Sequence, residues 1–234
     1  MSLYYEDEHV KLYHGDCREI LPTITETADL LLTDPPYGVD FKSNRGQHAK
    51  IANDDGSADI MGMLLLATKS LRRSRHAYIF GEWDFTDTNL TAHTQLIWDK
   101  GIVGMGDLSI PWGTSHEPIT FALHQPSKAN RAQGFGKLAA RMRQGTVLRV
   151  DRTHGASSKR HPTEKPVALL RQLIESSSCF GETVLDPFVG VGSTLVAASL
   201  EGRKSIGIEL EEKYCEIAAG RLSSIQQTML GGAA

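Results

Sequence analysis

The alternation of short apolar runs with helical segments constrains the fold of this 234-residue chain more than any other feature. Residues 28–33 (ADLLLT) are typical of a buried strand, and the prolines at 35 and 36 can continue neither a strand nor a helix. Apolar residues recur at helical spacing in 59–70 and 166–177. Further along, strand, helix, strand and helix follow in order at 183–185, 193–200, 205–208 and 211–225. This order predicts an α/β fold with a doubly wound, mostly parallel sheet that has helices on both faces.

Composition excludes several classes of protein. Hydrophobic residues at 40% and charged residues at 23% are globular values. The longest apolar runs are a few residues, whereas a membrane span needs ~20. The first residues lack the basic start and apolar core of a signal peptide. Because the three cysteines show no metal-ligand spacing, we expect a cytoplasmic protein with no zinc site and no membrane partner.

Positive charge is concentrated in one part of the chain. Residues 125–160 contain nine basic side chains and one acid, so this segment carries +8 and the rest of the chain carries −11. Lys42 and Arg45 belong to a smaller basic patch. Such a cluster is either a solvated loop or a surface that binds a polyanion. Charge alone leaves both interpretations open.

A glycine-rich motif in the C-terminal half indicates a cofactor. In residues 183–194 (TVLDPFVGVGST), an apolar strand ends at Asp186 and a helix begins near 193. Gly190 and Gly192 permit positive φ and close approach of a ligand to the backbone. The motif lacks the lysine of a phosphate-binding P-loop. Glu209 ends the next strand about 20 residues later, where an acid binds ribose hydroxyls in nucleotide-binding folds.

A second motif, Asp34-Pro35-Pro36-Tyr37, follows the first buried strand. It could simply end the strand, with Tyr37 packed nearby. The functional alternative is a site for an exocyclic amine, which is a poor nucleophile because its lone pair is delocalised into the base. Hydrogen bonds from its two protons to Asp34 and the Pro35 carbonyl favour the pyramidal geometry needed for attack. Tyr37 would stack on the extruded base, an interaction worth ~1–3 kcal/mol.

Together these motifs resemble the S-adenosylmethionine-dependent DNA amino-methyltransferases, with the motif order of the β class. Residues 34–37 match the catalytic motif, 186–192 match the cofactor loop, and 161–166 (HPTEKP) are similar to the motif that shapes the methionine end of the cofactor pocket. Residues 14–17 resemble the segment that contacts the cofactor adenine, and 112–121 resemble a later strand pair. The resemblance implies the catalytic residues Asp34, Pro35, Pro36 and Tyr37. It implies the cofactor-binding residues Asp16, Cys17, Asp34, Thr163, Lys165, Asp186, Phe188, Gly190, Gly192, Ser193, Thr194, Glu209 and Leu210.

The order of the motifs implies a circularly permuted, Rossmann-like methyltransferase fold. Residues 1–124 and 161–234 would form one catalytic and cofactor-binding domain, and 125–160 a small basic DNA-recognition segment. This placement favours the interpretation of the basic segment as a DNA surface. The expected DNA-binding residues are Lys42, Arg45, Lys128, Arg131, Lys137, Arg141, Arg143, Arg149 and Arg152.

The implied activity is site-specific methylation of adenine N6 in a base flipped out of double-stranded DNA, as in restriction–modification systems. The products would be methylated DNA and S-adenosyl-L-homocysteine, with no metal involved. The opening Asp34 resembles adenine-N6 enzymes more than cytosine-N4 enzymes, which more often carry Ser there. Cytosine-N4, RNA and protein glutamine remain alternative acceptors, as does a non-catalytic DNA-binding module. Because some 35 residues are few for target recognition, we expect a short recognition site, relaxed specificity, or help from a second subunit or from the loop at 38–58. The expected location is the cytoplasm of a bacterial or phage-infected cell.

Overall fold

One sheet organises the protein. The structure, a computed structural model, describes residues 2–36, 59–101, 109, 111–125, 144–151 and 164–231. Within these ranges nine strands pair in the order β1-β2-β9-β8-β3-β4-β6-β5-β7. The strands are β1 Ser2–Glu6, β2 Val10–His14, β3 Ala28–Thr33, β4 Leu71–Phe80, β5 Leu90–Asp99, β6 His116–His124, β7 Val147–Arg149, β8 Thr183–Asp186 and β9 Lys204–Glu209.

Helices follow the strands on both faces of the sheet. Asp16 and Asp59 are the N-caps of the first two helices, where their side chains accept hydrogen bonds from backbone N–H groups. None of the helices in the described ranges is long and apolar enough to cross a membrane. The helices are α1 Cys17–Ile20, α2 Ile60–Ala67, α3 Val167–Ser177, α4 Ser193–Leu200 and α5 Glu212–Gly231, with short 3-10 turns at Leu21–Thr23 and Thr68–Ser70.

The central strand β3 shows why two helical layers are needed. All six of its residues are buried, and successive side chains point to opposite faces of a sheet. Leu31 packs in the core that contains α1 and α2, whereas Leu30 and Leu32 pack in the core that contains α3 and part of α4. A third cluster joins β2, α4 and α5. The predicted α/β fold with a doubly wound, mostly parallel sheet is confirmed.

Strand direction decides which residues meet. Strands β2, β9, β8, β3 and β4 are parallel, so their carboxyl ends lie together at what we call the carboxyl edge. Strand β6 is antiparallel to β4 and begins at this edge, and β5, antiparallel to β6, ends there. The sequence pattern did not predict this antiparallel pairing.

Strand β7, at one end of the sheet, comes from the basic segment 125–160. It pairs with β5 in parallel, it buries Leu148, and Trp98 Nε1 donates a hydrogen bond to the Val150 carbonyl at 2.7 Å. Residues 147–149, which fall inside the expected segment 125–160, are thus part of the sheet. A three-residue strand with exposed residues on either side of Leu148 leaves no clear pattern in the sequence.

Candidate active site

Four acidic residues lie at the carboxyl ends of four neighbouring parallel strands. Asp16 follows β2, Glu209 ends β9, Asp186 ends β8 and Asp34 follows β3. Thr33 links the two central strands, because its hydroxyl donates a hydrogen bond to Asp186 Oδ1 at 2.7 Å. The proposed catalytic motif and the proposed cofactor motif, 153 residues apart between Thr33 and Asp186, thus meet at one edge of the sheet.

The glycine turn, residues 187–192, connects β8 to α4. Gly190 has φ +53°, and a Cβ added there would meet no heavy atom within 4 Å. Gly192 has φ +85°, but a Cβ there would lie 2.7 Å from the Ala218 Cβ on α5. The two glycines therefore serve different purposes: Gly190 leaves open space beside the turn, whereas Gly192 allows α5 to pack against it.

Glu209 is held rigidly next to this turn. Its Oε2 accepts a hydrogen bond from the Gly190 N–H at 2.7 Å, and its Oε1 accepts one from the Glu211 N–H at 2.8 Å. Burial raises the pKa of the Glu209 carboxyl, and the two N–H groups oppose that rise. A carboxylate oxygen can accept more than one hydrogen bond, so Glu209 can also accept hydroxyl groups of a ligand.

Asp186 is the most buried acid of the edge, at 2% exposure. Its Oδ1 accepts hydrogen bonds from the Thr33 hydroxyl and from the Phe188 N–H, the latter at 3.0 Å. The Thr194 hydroxyl also bonds to this carboxylate. Burial nevertheless raises the pKa of Asp186 to about 6, and the negative charge of Asp34 adds to the rise. This environment disfavours an isolated anion and favours a bound cation.

Glu164 ties the 161–166 motif to the glycine turn. Its buried carboxylate accepts a hydrogen bond from the Ser193 hydroxyl at 3.1 Å and lies 3.0 Å from the Arg221 guanidinium. Arg221 also donates to the Val191 carbonyl at 2.6 Å. The start of α3, the start of α4 and helix α5 are thereby fixed around the turn.

Lys165, the next residue, reaches the opposite motif. Its buried ammonium lies 2.5 Å from Asp34 Oδ2 and 3.3 Å from Glu117 Oε2, and 5.0 Å from the centre of the Phe80 ring. Glu117 in turn lies 2.6 Å from the ammonium of Lys100. We call these four alternating charges, from Asp34 to Lys100, the charge network.

Ion pairing favours the charged forms of Lys165 and Glu117 despite their burial. Burial lowers the pKa of Lys165, but Asp34 and Glu117 outweigh that effect and the net pKa is raised. Burial likewise raises the pKa of Glu117, but Lys165 and Lys100 outweigh it and the net pKa is lowered. No motif indicated Lys100, and Glu117 stood only within the segment 112–121 noted for its family resemblance.

The side chains of Asp16 and Cys17 point to different surroundings. The Arg18 guanidinium binds both carboxylate oxygens of Asp16, with Nε 3.0 Å from each, and lowers the pKa of this acid. Cys17 is only 6% exposed and packs with Ile20 in the core, and burial raises the pKa of its thiol to about 12. Any ligand contact of Cys17 would therefore involve its backbone rather than an accessible thiol.

The other expected site residues divide into two groups. Pro35, Pro36, Phe188, Ser193, Thr194 and Leu210 lie at the carboxyl edge, next to Asp34, the glycine turn or Glu209. Arg149 ends β7 at the same edge, with a side chain 84% exposed and Nε 3.4 Å from Asp99 Oδ2. Outside the described residues are Tyr37, Lys42, Arg45, Lys128, Arg131, Lys137, Arg141, Arg143, Arg152 and Thr163.

Sequence comparisons identify the family of the chain. A family model described as DNA methylase, covering adenine-N6 and cytosine-N4 enzymes, matches residues 93–220, which is more than half of the chain. YubD of Escherichia coli (strain K12) is 32% identical over 225 residues, covering 96% of this chain and 95% of YubD. The type II methyltransferase M2.LlaDCHI of Lactococcus lactis is 28% identical over 251 residues, covering 94% and 91% of the two chains.

Solved structures share the fold. The complex of M1.HpyAVI with S-adenosylmethionine aligns with a TM-score of 0.68 at 20% identity, covering 91% of this chain and 98% of that one. The cytosine-N4-specific PvuII DNA methyltransferase aligns with a TM-score of 0.68 at 17% identity, covering 94% and 88%. The chain thus belongs to the S-adenosylmethionine-dependent DNA amino-methyltransferases, a family that includes both adenine-N6 and cytosine-N4 enzymes.

Proposed function

We propose that this chain methylates the N6 amine of adenine at specific sites in double-stranded DNA, with the target base flipped out of the helix. The observation that carries this proposal is the position of Asp34, one residue beyond Thr33, whose hydroxyl binds Asp186 of the cofactor motif. In this proposal, the carboxylate that accepts hydrogen bonds from the amine and the turn that holds the cofactor share one edge of the sheet. Asp34 as the first residue of the Asp-Pro-Pro-Tyr motif favours adenine over cytosine as the target.

The residues beside the glycine turn fit S-adenosylmethionine. The open space at Gly190 admits a ligand against the backbone, Glu209 can accept ribose hydroxyls, and the environment of Asp186 favours a cation. We assign Asp16 to the adenine end of the cofactor. When bound, S-adenosylmethionine supplies a sulfonium methyl group that is already activated for transfer. We assign no metal to the reaction, because such a methyl group needs orientation and electrostatics rather than a Lewis acid.

The catalytic motif would act on the target amine. Asp34 and the Pro35 carbonyl accept hydrogen bonds from its two N–H groups, and this directs the nitrogen lone pair out of the plane of the base. As the new N–C bond forms, the sulfonium–methyl bond breaks, and the positive charge that develops on nitrogen is stabilised by the carboxylate of Asp34. The methylated nitrogen then loses one proton to solvent. Tyr37 stacks on the flipped base, so Tyr37→Phe should be mild and Tyr37→Ala severe.

The sheet and its helices would form the catalytic domain, now including β7. The other residues of 125–160 would form the DNA-recognition segment, with Lys42, Arg45 and the basic side chains of that segment facing phosphates. We further propose that a second copy of the chain assists recognition, since the segment is short.

Product analysis tests the proposal directly. Purified protein is incubated with isotopically labelled S-adenosylmethionine and either DNA, RNA or protein, and the products are digested and analysed by mass spectrometry. We expect labelled N6-methyladenine from DNA, and none from a reaction with the Asp34→Ala variant. Labelled N4-methylcytosine in DNA would show that the target base is cytosine and not adenine. Label confined to RNA or protein would overturn the proposal of a DNA substrate.

A further inference from the structure

The charge network brings together residues from four separate parts of the chain. Asp34 follows β3, Lys165 precedes α3, Glu117 lies near the start of β6 and Lys100 follows β5. All four converge at the carboxyl edge, where Lys165 is 6% exposed and Lys100 is 7% exposed. Burying two ammonium groups is unfavourable unless carboxylates compensate them, so the position of each group depends on its neighbours.

Glu117 has the central place in this arrangement. It contacts both lysines, at 2.6 Å from the Lys100 ammonium and 3.3 Å from the Lys165 ammonium. Lys165 in turn contacts both carboxylates. A long, flexible lysine side chain does not hold a fixed position unaided, and Glu117 supplies the second anchor of the Lys165 ammonium.

We propose that Glu117 is a positioning residue for methyl transfer: it holds the Lys165 ammonium in place, and Lys165 fixes the Asp34 carboxylate in the orientation that accepts the target amine. The inference rests on the proposed function, since it takes Asp34 as the acceptor of the amine N–H groups. Lys100 balances the charge of Glu117 from the other side. Lys165 therefore acts on Asp34 itself, in addition to its expected place beside the cofactor pocket.

The mechanism by which Glu117 acts is geometric. Reaction rates are sensitive to small displacements of catalytic groups, and a shift of about 1 Å can cost about 10²-fold. When the Glu117 charge is removed, the Lys165 ammonium still pairs with the Asp34 carboxylate. Because the second anchor is lost, these two groups can move together away from the amine. In the proposed function Asp34 acts on the target amine, so the defect should appear chiefly in the transfer step and much less in the binding of cofactor and DNA.

The test is a double-mutant cycle on the single-turnover rate of methyl transfer, with wild type, Glu117→Gln, Lys165→Met and the double variant. We expect Glu117→Gln to lower the rate roughly 10- to 100-fold, with KM for DNA and the Kd for cofactor within about threefold of wild type. The double variant should be no slower than Lys165→Met alone, because Glu117 acts through Lys165.

A matched control separates positioning from a general loss of an ion pair. Glu182→Gln removes a carboxylate of similar exposure, 20% against 26% for Glu117, which lies 2.6 Å from Arg75 at the opposite edge of the sheet. This variant should transfer methyl groups at close to the wild-type rate. Thermal unfolding shows whether Glu117→Gln is folded. If it is not, Glu117→Asp takes its place, because it keeps the charge but withdraws it by one methylene, and it should still slow transfer.

The outcomes distinguish a failure of the positioning role of Glu117 from a failure of the proposed function. A Glu117 variant with the wild-type rate, or a double variant whose loss is the product of the two single losses, would overturn the positioning role. Asp34→Ala is assayed alongside. If it retains full transfer, the proposed function itself fails, whereas an inactive Asp34→Ala with a fully active Glu117→Gln leaves the proposed function standing and removes only this inference.

Discussion

The carboxyl edge holds two pairs of acidic residues in opposite ways: Asp186 and Glu209 form what we call the cofactor half, and Asp34 and Glu117 form the acceptor half. In the cofactor half, Asp186 and Glu209 are held by backbone N–H groups and hydroxyls, and burial raises the pKa of both. In the acceptor half, Asp34 and Glu117 face the ammonium groups of Lys165 and Lys100, and the pKa of Glu117 is lowered. The acids of the cofactor half are thus stabilised by neutral hydrogen-bond donors, whereas the charges of the acceptor half are balanced by two lysines.

This difference corresponds to the charge of the group that each half is proposed to bind. The cofactor carries a sulfonium and an ammonium group, and a buried anion with a raised pKa is stabilised when a cation binds beside it. The target amine of a base is neutral, and a balanced network can orient it without attracting a competing cation. The four predictions below test this contrast, beginning with the largest expected effect.

Removing Asp34 should disable the acceptor half and spare the cofactor half. We expect Asp34→Ala to lower the transfer rate by roughly 10²- to 10³-fold or more, because the group that stabilises charge on the amine is lost. Cofactor affinity, measured by calorimetry, should change by no more than a few-fold. An equal loss of transfer and cofactor binding would mean that the two halves do not act separately.

Filling the space at Gly190 should do the reverse. Valine adds a side chain where a Cβ now meets no heavy atom within 4 Å, so it should weaken cofactor binding by roughly 10- to 100-fold, or about 1.4–2.8 kcal/mol. The φ of +53° also strains any L side chain, so Gly190→Ala tests the effect of strain with the smallest added volume.

Gly220→Val is the control for the Gly190 variants. Gly220 lies in α5, and a Cβ added there also meets no heavy atom within 4 Å. Its variant should bind the cofactor like wild type. If Gly190→Val also binds like wild type, the open space beside the turn is not the cofactor site.

The meeting of the two motifs follows from the predicted parallel sheet, whereas the charge network does not. Asp34 follows one apolar strand and Asp186 ends another, and parallel strands bring their carboxyl ends to one edge. The direction of a long side chain does not follow from spacing: Lys165 stands in a motif assigned to the cofactor, yet its ammonium contacts Asp34. Lys100 belongs to no motif, and only its position after β5 brings it to Glu117.

The ends of the sheet were also beyond sequence reasoning. Strand β1 is largely exposed, and β7 has only three residues, so neither shows the apolar run that identified β3. The pairing of β5 with β6 depends on tertiary contacts, because apolar segments of this length occur in parallel and antiparallel sheets alike.

Neutralising Asp186 should exchange function for stability. Asn keeps an Oδ1 acceptor for the Thr33 hydroxyl and the Phe188 N–H but removes the buried charge. The pKa of about 6 against 3.8 corresponds to a cost of up to about 3 kcal/mol for the ionised form. At pH 8 we therefore expect Asp186→Asn to raise the free energy of unfolding by roughly 1–3 kcal/mol and to weaken cofactor binding.

The pH dependence checks the sign of the Asp186 prediction. Because the folded-state pKa is raised, the cost of ionisation is absent well below pH 3.8, grows between 3.8 and about 6, and is complete above about 6. The stability gain of Asp186→Asn, measured by denaturant unfolding, should shrink as the pH is lowered from 8 toward 4. A gain that is independent of pH would show that a different change, such as repacking, is responsible.

The smallest expected effect concerns the attraction of DNA to the acceptor half. Since the charge network is balanced, attraction of phosphates must come from exposed cations such as Arg149, which ends β7 at the carboxyl edge and is 84% exposed. If Arg149 contacts one phosphate, Arg149→Gln should reduce the slope of log affinity against log salt by ~0.9. Arg73→Gln is the matched control, because Arg73 is exposed near the start of β4, at the opposite edge. Equal slopes for wild type and Arg149→Gln, or an equal change in both variants, would show that DNA does not approach the carboxyl edge through Arg149.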